Sequence, residues 1–260
     1  MPNPDEWLDP PTALSLNTDE VHIWRSTLDF GPALISRFSG TLSQDESDRA
    51  GRYVFDKDRN HFIAARAILR ELLGAYLVVL PESLQFEYGA RRKPALRAGQ
   101  HTTDLRFNIS HSNGLAVFAF ARGRELGIDV EWMRPSFATR EIAERYFSSR
   151  ELAEWRSLPA ENQSEGFFLC WTRKEAYVKA RGEGLYIPLQ EFDVSLTPGR
   201  HETLNCTDSG RWSLSSFVPG NRCAGAIVIE GKKWRRFQWE YVPKDSEAGT
   251  TNHGRKREDG

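Results

Sequence analysis

Cysteine is scarce in this chain, and its few copies form no recognisable pattern. Only three occur among 260 residues, at Cys170, Cys206 and Cys223. Their number is odd and no two form a Cys-x-x-Cys pair, which argues against a disulfide framework and against a zinc site. This usage fits a reducing compartment, so we expect a cytoplasmic protein. Cys170 lies in an apolar helical segment, where we expect a buried structural thiol.

The chain also has little net charge and no long apolar run, and we expect no secretory signal. The formal net charge is −1, so the chain has no overall basic field with which to hold nucleic acid. No apolar run approaches the ~20 residues that a membrane-spanning helix needs. The N-terminal sequence has neither the basic region nor the apolar region of a secretory signal. These absences argue against nucleic-acid-binding and membrane proteins.

The hydrophobic pattern predicts two similar halves. Hydrophobic residues make up 39% of the chain, which is enough for a sizeable core. Apolar residues recur at helical spacing over 56–80 and again over 163–181, and strand-like segments follow each of these helices. We therefore predict an α+β fold of two similar α/β halves with a site between them. The expected boundaries are an irregular lead-in at 1–18, halves at 19–122 and 123–243, and a disordered polar tail at 244–260.

Two carboxylates near the middle of the chain predict a metal site. Asp129 and Glu131 are two residues apart in an apolar segment that reads as a strand, so their side chains point to the same face. Like charges at this distance repel each other, which favours a cation between them. Mg²⁺ binds carboxylates, water and phosphate oxygens. Glu175, in the second long helix, would have to fold back to join them.

The charges in that helix have two interpretations. Glu175 and Lys179 have the spacing of an ordinary surface ion pair, worth ~0.2–0.5 kcal/mol. However, Trp171 lies on the same ridge of the helix as Glu175 and Lys179. The pair therefore borders a large apolar ring and does not lie on a wholly polar face. Lys174 begins a second ridge. Both interpretations remain open at this point.

A strand end between the two long helices offers polar groups of another kind. Ser110 and His111 are adjacent and therefore point apart on a strand, which makes a Ser-His catalytic pair awkward. No Gly-x-Ser-x-Gly motif accompanies them. A phosphate-binding corner suits these residues better. Lys93 and Pro94 form a second candidate edge for an anion, because proline fixes the chain beside a lysine.

Together, these motifs resemble those of the Sfp-type 4′-phosphopantetheinyl transferases. The resemblance runs from about Leu42 to Leu189, and five motifs in the same order make it specific. They are Arg66-Ala-Ile-Leu-Arg70, Lys93-Pro94, Phe107-Asn-Ile-Ser-His-Ser112, Gly127-Ile-Asp-Val-Glu131 and Trp171-Thr-Arg-Lys-Glu-Ala-Tyr-Val-Lys179. The resemblance implies a pseudo-twofold monomer that binds coenzyme A in the cleft between its halves.

The same resemblance implies a role for each candidate residue. Asp129, Glu131 and Glu175 match the family's Mg²⁺ carboxylates, and Lys179 matches the lysine near the transferred phosphate. Glu175 and Lys179 are the expected catalytic residues. Arg49 and Arg66 are candidates for the 3′-phosphate of coenzyme A. The full set of expected coenzyme A contacts is Arg49, Arg66, Lys93, Pro94, Ser110, His111, Asp129, Lys174 and Lys179.

The sequence thus predicts a Mg²⁺-dependent transferase with coenzyme A as one substrate. It would move 4′-phosphopantetheine to a serine of an acyl or peptidyl carrier protein and release 3′,5′-ADP. Two alternatives remain open. One is a metal-dependent phosphodiesterase or nuclease, against which the near-zero charge counts. The other is a non-catalytic carrier-binding scaffold, which the presence of every expected catalytic side chain disfavours.

Overall fold

A computed structural model gives the fold of this chain. It describes residues 6–88, 93–99, 103–134, 136–182 and 187–243. The predicted tail at 244–260, the first five residues of the lead-in and the four residues before Lys93 lie outside these ranges. The helices are α1 Pro32–Ser39, α2 Gln44–Ala50, α3 Asp56–Leu77, α4 Arg140–Tyr146, α5 Ser149–Ser157 and α6 Ala160–Arg181.

The strands form two principal sheets. Their bounds are β1 Glu20–Thr27, β2 Phe86–Tyr88, β3 Pro94–Leu96, β4 Leu105–Ser112, β5 Leu115–Arg122, β6 Leu126–Trp132, β7 Asp193–Val194, β8 Leu204–Asn205, β9 Trp212–Phe217, β10 Cys223–Glu230 and β11 Arg235–Glu240. One sheet has the order β11-β1-β5-β4 and the other has the order β6-β10-β9. Two short hairpins, β2-β3 and β7-β8, complete the described strands.

The two halves repeat one topology, as predicted. Strands β1, β5 and β4 have the same order and pairing as β6, β10 and β9. Each half contains one helix of 22 residues, α3 or α6, which covers the outer face of its sheet. The inner faces meet in an apolar layer that includes Ile23, Val117, Ile128 and Ile227. Burial of these aliphatic side chains holds the halves together.

Local sequence explains where several helices begin and end. Ser43 and Ser148 each open a short helix with a capping box that also uses Glu46 or Glu151, three residues later. Helix α6 ends at Gly182, which has a φ of 66° and suits the left-handed C-cap. No helix in the described ranges is long and apolar enough to cross a bilayer.

The structure adds one helix that the sequence pattern does not predict, and it gives one predicted strand an unexpected partner. Helix α1 is short and begins at Pro32, and its buried residues are Ile35 and Phe38. Strand β11 is predicted as a strand, but it pairs in parallel with β1 and therefore belongs to the sheet of the N-terminal half. The last strand of the chain thus crosses from one half to the other.

Candidate active site

The carboxylates of β6 lie on the face that α6 covers. Asp129 and Glu131 pair with Ala226 and Ala224 of β10, whose side chains lie in the core beneath that helix. The small alanine side chains leave room above the strand for the two carboxylates. Asp129 is buried, with 3% of its surface exposed, whereas Glu131 is half-buried at the strand's end.

Helix α6 approaches this strand unusually closely. A Cβ on Gly127 would lie 2.2 Å from both the carbonyl oxygen of Ala176 and the amide nitrogen of Ala180. Only glycine fits there, because both obstacles are backbone atoms. The close approach brings Lys179 of α6 to β6, where its Nζ lies 2.6 Å from Oδ1 of Asp129.

Strand β4 contributes polar side chains from the other half. Asn108 Oδ1 accepts a hydrogen bond from the amide of Ile128 at 2.9 Å. Ser110 Oγ donates to Asp129 Oδ1 at 2.8 Å and accepts from Lys179 Nζ at 3.0 Å. Ser110 therefore links the two sheets directly at the Asp129–Lys179 pair.

The remaining carboxylates show the electrostatic effect of this crowding. Burial raises the pKa of Glu131, and the negative charge of Asp129 raises it further. Burial and then the charge of Asp129 also raise the pKa of Glu175, while Lys179 opposes the rise. Glu175 therefore lies within electrostatic reach of the carboxylates on β6. The three acids form one negatively charged region, with Lys179 and Arg134 as neighbouring cations.

His111 lies at the edge of this region. Desolvation lowers its pKa, and the positive charges of Lys179 and His61 lower it further. His61, near the start of α3, has its Nε2 2.8 Å from Oδ1 of Asp29. Two histidines and a lysine thus lie close together beside the acids, which suits the binding of a phosphate.

Lys93 connects the two halves through backbone atoms. Its Nζ donates to the carbonyl oxygens of Leu126, at 3.1 Å, and Lys179, at 3.0 Å. Pro94 follows as the first residue of β3. The ammonium of Lys93 therefore stabilises the end of α6 and the start of β6, in addition to any role that it has with a ligand.

The structure does not place Lys174 with this group, contrary to the coenzyme A contact expected from the sequence. Its ammonium is 2.5 Å from the carbonyl oxygen of Leu189, 2.6 Å from that of Phe192 and 2.8 Å from a carboxylate oxygen of Glu151. These three acceptors satisfy the three donors of a lysine. The side chain is 1% exposed, so Lys174 belongs to the core of the C-terminal half.

The two expected arginines lie in the N-terminal half. Arg66 Nε donates to Glu46 Oε1 at 2.6 Å, and its guanidinium lies over the ring of Phe86. These contacts engage most of the Arg66 side chain in the core, and its expected phosphate contact stays a prediction. Arg49 is exposed, with its guanidinium 5.0 Å from the centre of the Phe62 ring. Arg49 is therefore the freer of the two candidates.

Comparison with known proteins agrees with the geometry. Residues 125–228 match the family model described as the 4′-phosphopantetheinyl transferase superfamily. Residues 32–122 match the model for the N-terminal part of a 4′-phosphopantetheinyl transferase. A protein named 4′-phosphopantetheinyl transferase HetI, from Nostoc sp., is 41% identical over 90% of this chain and 98% of its own length. The chain belongs to the 4′-phosphopantetheinyl transferase family.

Two further relatives support the same membership. A putative 4′-phosphopantetheinyl transferase of Synechocystis sp. is 32% identical over 70% of this chain and 74% of its own length. The Sfp protein of Bacillus subtilis, also named a 4′-phosphopantetheinyl transferase, is 27% identical over 66% of this chain and 75% of its own length. The chain is thus an enzyme of this transferase class, as its motifs predict.

A phosphopantetheinyl transferase of this type is expected to hold Mg²⁺, and the acids can be tested for that role. In the described ranges, no group of three or more His, Cys, Asp and Glu side chains is already arranged around one metal position. However, Oδ2 of Asp129 is buried without a hydrogen-bond partner. A buried carboxylate oxygen of this kind needs a hydrogen-bond donor or a cation, and a metal ion can supply the latter. The donor set of Asp129, Glu131 and Glu175 therefore fits Mg²⁺ in its chemistry, with Lys179 close by.

Three polar residues that the structure brings to the site are absent from the expected set of contacts. Asn108 and Ser112 alternate with Ser110 along β4, and all three reach toward β6. The same two-residue periodicity that selected Asp129 and Glu131 could have identified them. His61 is different, because nothing in the helical pattern of α3 distinguishes it before the fold brings it near His111.

Proposed function

We propose that this chain transfers the 4′-phosphopantetheinyl group of coenzyme A to a serine hydroxyl of an acyl or peptidyl carrier protein, releasing 3′,5′-ADP. The observation that carries the proposal is the contact of Lys179 with Asp129 and Ser110, where the two halves meet. This arrangement combines a cation, which suits a phosphate, with acids, which suit a metal ion and a proton. Family membership supports the same reaction.

The bond changes of the reaction balance without a further reagent. The serine oxygen of the carrier forms a bond to the phosphorus that bears the pantetheine arm. The bond from that phosphorus to the bridging oxygen of the pyrophosphate breaks, and 3′,5′-ADP leaves with the electron pair. The serine proton passes to Glu175, directly or through a water molecule. No nucleophile from this chain is needed, since the partner supplies it.

The residues of α6 and β4 would hold the phosphates during this transfer. Lys179 would donate from its ammonium to oxygens of the transferred phosphate, where negative charge increases. Its position is fixed by Ser110 Oγ at 3.0 Å and Asp129 Oδ1 at 2.6 Å. His111 borders the same region and supplies a further donor for the pyrophosphate.

Asp129, Glu131 and Glu175 would hold Mg²⁺, with the unpartnered Oδ2 of Asp129 as one ligand. Bound there, the ion would offset the negative charge of the pyrophosphate. Because β6, α6 and β4 all belong to one chain, we further propose that the enzyme works as a monomer. Glu175 would then have two roles, as a ligand and as the proton acceptor.

One experiment separates this proposal from its alternatives. The protein is incubated with coenzyme A, Mg²⁺ and an apo carrier protein, and the carrier is then weighed by mass spectrometry. We expect the carrier's mass to increase by one 4′-phosphopantetheinyl group. Cleavage of a nucleic acid or phosphodiester without this gain would favour the nuclease alternative. Tight carrier binding without any mass change would favour the scaffold alternative.

A further inference from the structure

We infer that Ser112 is a positioning residue that determines which oxygen of Glu131 is available to a divalent cation. The inference rests on the proposed metal-dependent function. Ser112 ends the Phe107–Ser112 motif, but it is not among the expected contacts, and the inference gives it a role of its own. Ser112 Oγ donates to Glu131 Oε2 at 2.7 Å. The same Oγ accepts a hydrogen bond from the backbone amide of Trp132 at 3.1 Å.

These two hydrogen bonds fix the direction of the hydroxyl. A serine hydroxyl has a single proton, so donation to Glu131 uses its whole capacity as a donor. The amide of Trp132 can only donate, and it therefore occupies a lone pair of the same oxygen. That amide follows Glu131 directly in β6. The Ser112 hydroxyl therefore contacts both the side chain of Glu131 and the backbone next to it.

The backbone of Ser112 is also firmly placed. Ser112 pairs with Leu115 across a two-residue hairpin loop formed by Asn113 and Gly114, with φ values of 48° and 79°. Two positive φ angles are typical of the tight turn that matches the twist of paired strands. The carbonyl oxygen of Gly114 accepts a hydrogen bond from the amide of Leu28 at 2.7 Å, which anchors the turn to β1's end.

The consequence lies in the other oxygen of Glu131. Among the described residues, Oε1 accepts no hydrogen bond, so it remains available as a ligand while Ser112 holds Oε2. Ser110 acts differently, because its hydroxyl contacts both Asp129 and the ammonium of Lys179. Removing the Ser112 hydroxyl would free the carboxylate of Glu131 to rotate, and a rotating ligand binds a cation more weakly.

The test measures Mn²⁺ binding to the full chain by electron paramagnetic resonance, with and without coenzyme A. Mn²⁺ serves as the probe because it accepts the same oxygen ligands as Mg²⁺. Loss of an outer partner of a metal ligand typically costs 10–100-fold in affinity, so we expect Ser112→Ala to weaken Mn²⁺ binding by about that factor. Ser112→Thr keeps the hydroxyl, and we expect it to restore most of the affinity.

A matched control is Ser26→Ala, which removes a buried strand hydroxyl that donates only to the carbonyl oxygen of Thr27. We expect this variant to bind Mn²⁺ as the unchanged chain does. Equal affinity for Ser112→Ala and the unchanged chain would overturn the role of Ser112, as would a Ser112→Thr variant as weak as Ser112→Ala. If the unchanged chain bound no Mn²⁺ in either condition, the metal assignment of the proposed function would itself fail.

Discussion

The two long helices meet their sheets in different ways, although the halves share one topology. In the N-terminal half, His22 of β1 faces α3, and its Nδ1 lies 2.8 Å from the hydroxyl of Tyr76. By strand register and helix position, the equivalent residues in the other half are Gly127 and Ala180. A Cβ on Gly127 would lie 2.2 Å from the amide nitrogen of Ala180. Large side chains therefore separate α3 from its sheet, whereas α6 contacts β6 with backbone atoms.

Comparing residues at the same position in the two long helices also shows a difference in charge compensation. Glu71 and Glu175 are each the sixteenth residue of their helix. Glu71 accepts hydrogen bonds from the guanidinium of Arg37 and the hydroxyl of Tyr241. Glu175 instead faces the acids of β6, which raise its pKa after burial has done so. One half neutralises this glutamate with its own side chains, whereas the other leaves negative charge for an external cation.

A buried ion pair, by contrast, is common to both halves. Arg70 and Lys174 are each the fifteenth residue of their helix, and each contacts the glutamate of a capping box, Glu46 or Glu151. Each cation also donates to two carbonyl oxygens at a 3₁₀ turn after the helix, those of Pro81 and Leu84 or those of Leu189 and Phe192. The halves thus share a scaffold, and they differ in how closely the long helix approaches its sheet.

The largest expected effect separates the two equivalent glutamates. We expect Glu175→Gln to slow carrier modification by ~10²–10⁴-fold, because an amide cannot accept the serine proton. The loss should persist at saturating Mg²⁺ and coenzyme A. Glu71→Gln, at the equivalent position, should leave the rate unchanged. The measurement is the single-turnover rate of carrier modification as a function of Mg²⁺ concentration.

Complete rescue of Glu175→Gln by excess Mg²⁺ would reduce Glu175 to a metal ligand and give the proton to water or another group. A comparable loss in Glu71→Gln would contradict the assignment of the proton acceptor to Glu175. Thermal unfolding of both variants provides the control, since a change of rate is meaningful only where the fold persists.

The next effect concerns stability and compares the two buried glutamates. Glu46 neutralises two cations, Arg66 and Arg70, whereas Glu151 contacts one, Lys174. Although burial opposes ionisation, the charges of the two arginines lower the pKa of Glu46. Burial raises the pKa of Glu151 by more than its single cation can offset. The charge of Glu46 is therefore better compensated, and its loss should cost more.

Glutamine can still form the capping box, so the change to Gln tests the charge alone. We expect Glu46→Gln to lower the free energy of unfolding by ~3–5 kcal/mol, the usual result of removing one partner of a buried pair. Glu151→Gln should cost ~1–3 kcal/mol, since two carbonyl oxygens remain for Lys174. Urea unfolding measures both values. Equal losses would contradict the comparison.

The next prediction, with a smaller expected effect on turnover, compares two lysines of α6. Lys179→Ala should lose ~10²–10³-fold in turnover with little change in stability, as when one donor to a developing anion is removed. Lys174→Met should do the reverse, destabilising the fold while the KM for coenzyme A stays the same. Steady-state kinetics and thermal unfolding of each variant decide this. An increased KM in a folded Lys174→Met variant would return Lys174 to the coenzyme A site.

The sequence interpretation succeeded where local spacing decides which face a side chain lies on, and it failed where tertiary contacts decide. Alternation along β6 placed Asp129 and Glu131 on one face, because a strand's period is two residues. Helical spacing could not decide between Lys174 and Lys179, which lie on neighbouring ridges of α6. Which lysine is buried depends on the position of Glu151, which pairs with Lys174. Glu151 comes from another helix, so only the tertiary fold brings the two together.

One unpredicted helix and one unpredicted strand pairing also depend on contacts with distant residues. Helix α1 has eight residues, too few for the hydrophobic period to stand out, and it is stable because Ile35 and Phe38 are buried. Strand β11 is visible in the sequence, but its place beside β1 follows from pairing across more than 200 residues. Local patterns identify such elements more readily than they identify their neighbours.

The smallest expected effect is a pH dependence of stability that is confined to the N-terminal half. Burial lowers the pKa of His22 to about 4, although Glu20 opposes the change. The unfolded chain, with a pKa of about 6.5, therefore binds more protons between these two values. The contribution of neutral His22 is complete above about pH 6.5 and is lost as the pH falls toward about 4. Between about pH 7 and about pH 5 the loss is at most about 2 kcal/mol, at ~1.4 kcal/mol for each pH unit below 6.5.

His22→Asn should flatten this dependence, because asparagine does not titrate and its amide can still face the hydroxyl of Tyr76. Free energies of unfolding in urea at about pH 7 and about pH 5 give the slope for each chain. Gly127, the equivalent of His22 in the C-terminal half, has no side chain to titrate. Amides of β1 and α3 should therefore lose hydrogen-exchange protection at low pH before those of β6 and α6. Two results would contradict this prediction: an equal loss of protection in both halves, or an unchanged slope in His22→Asn. Either would show that acid destabilises the fold by protonating carboxylates in both halves and not by protonating His22.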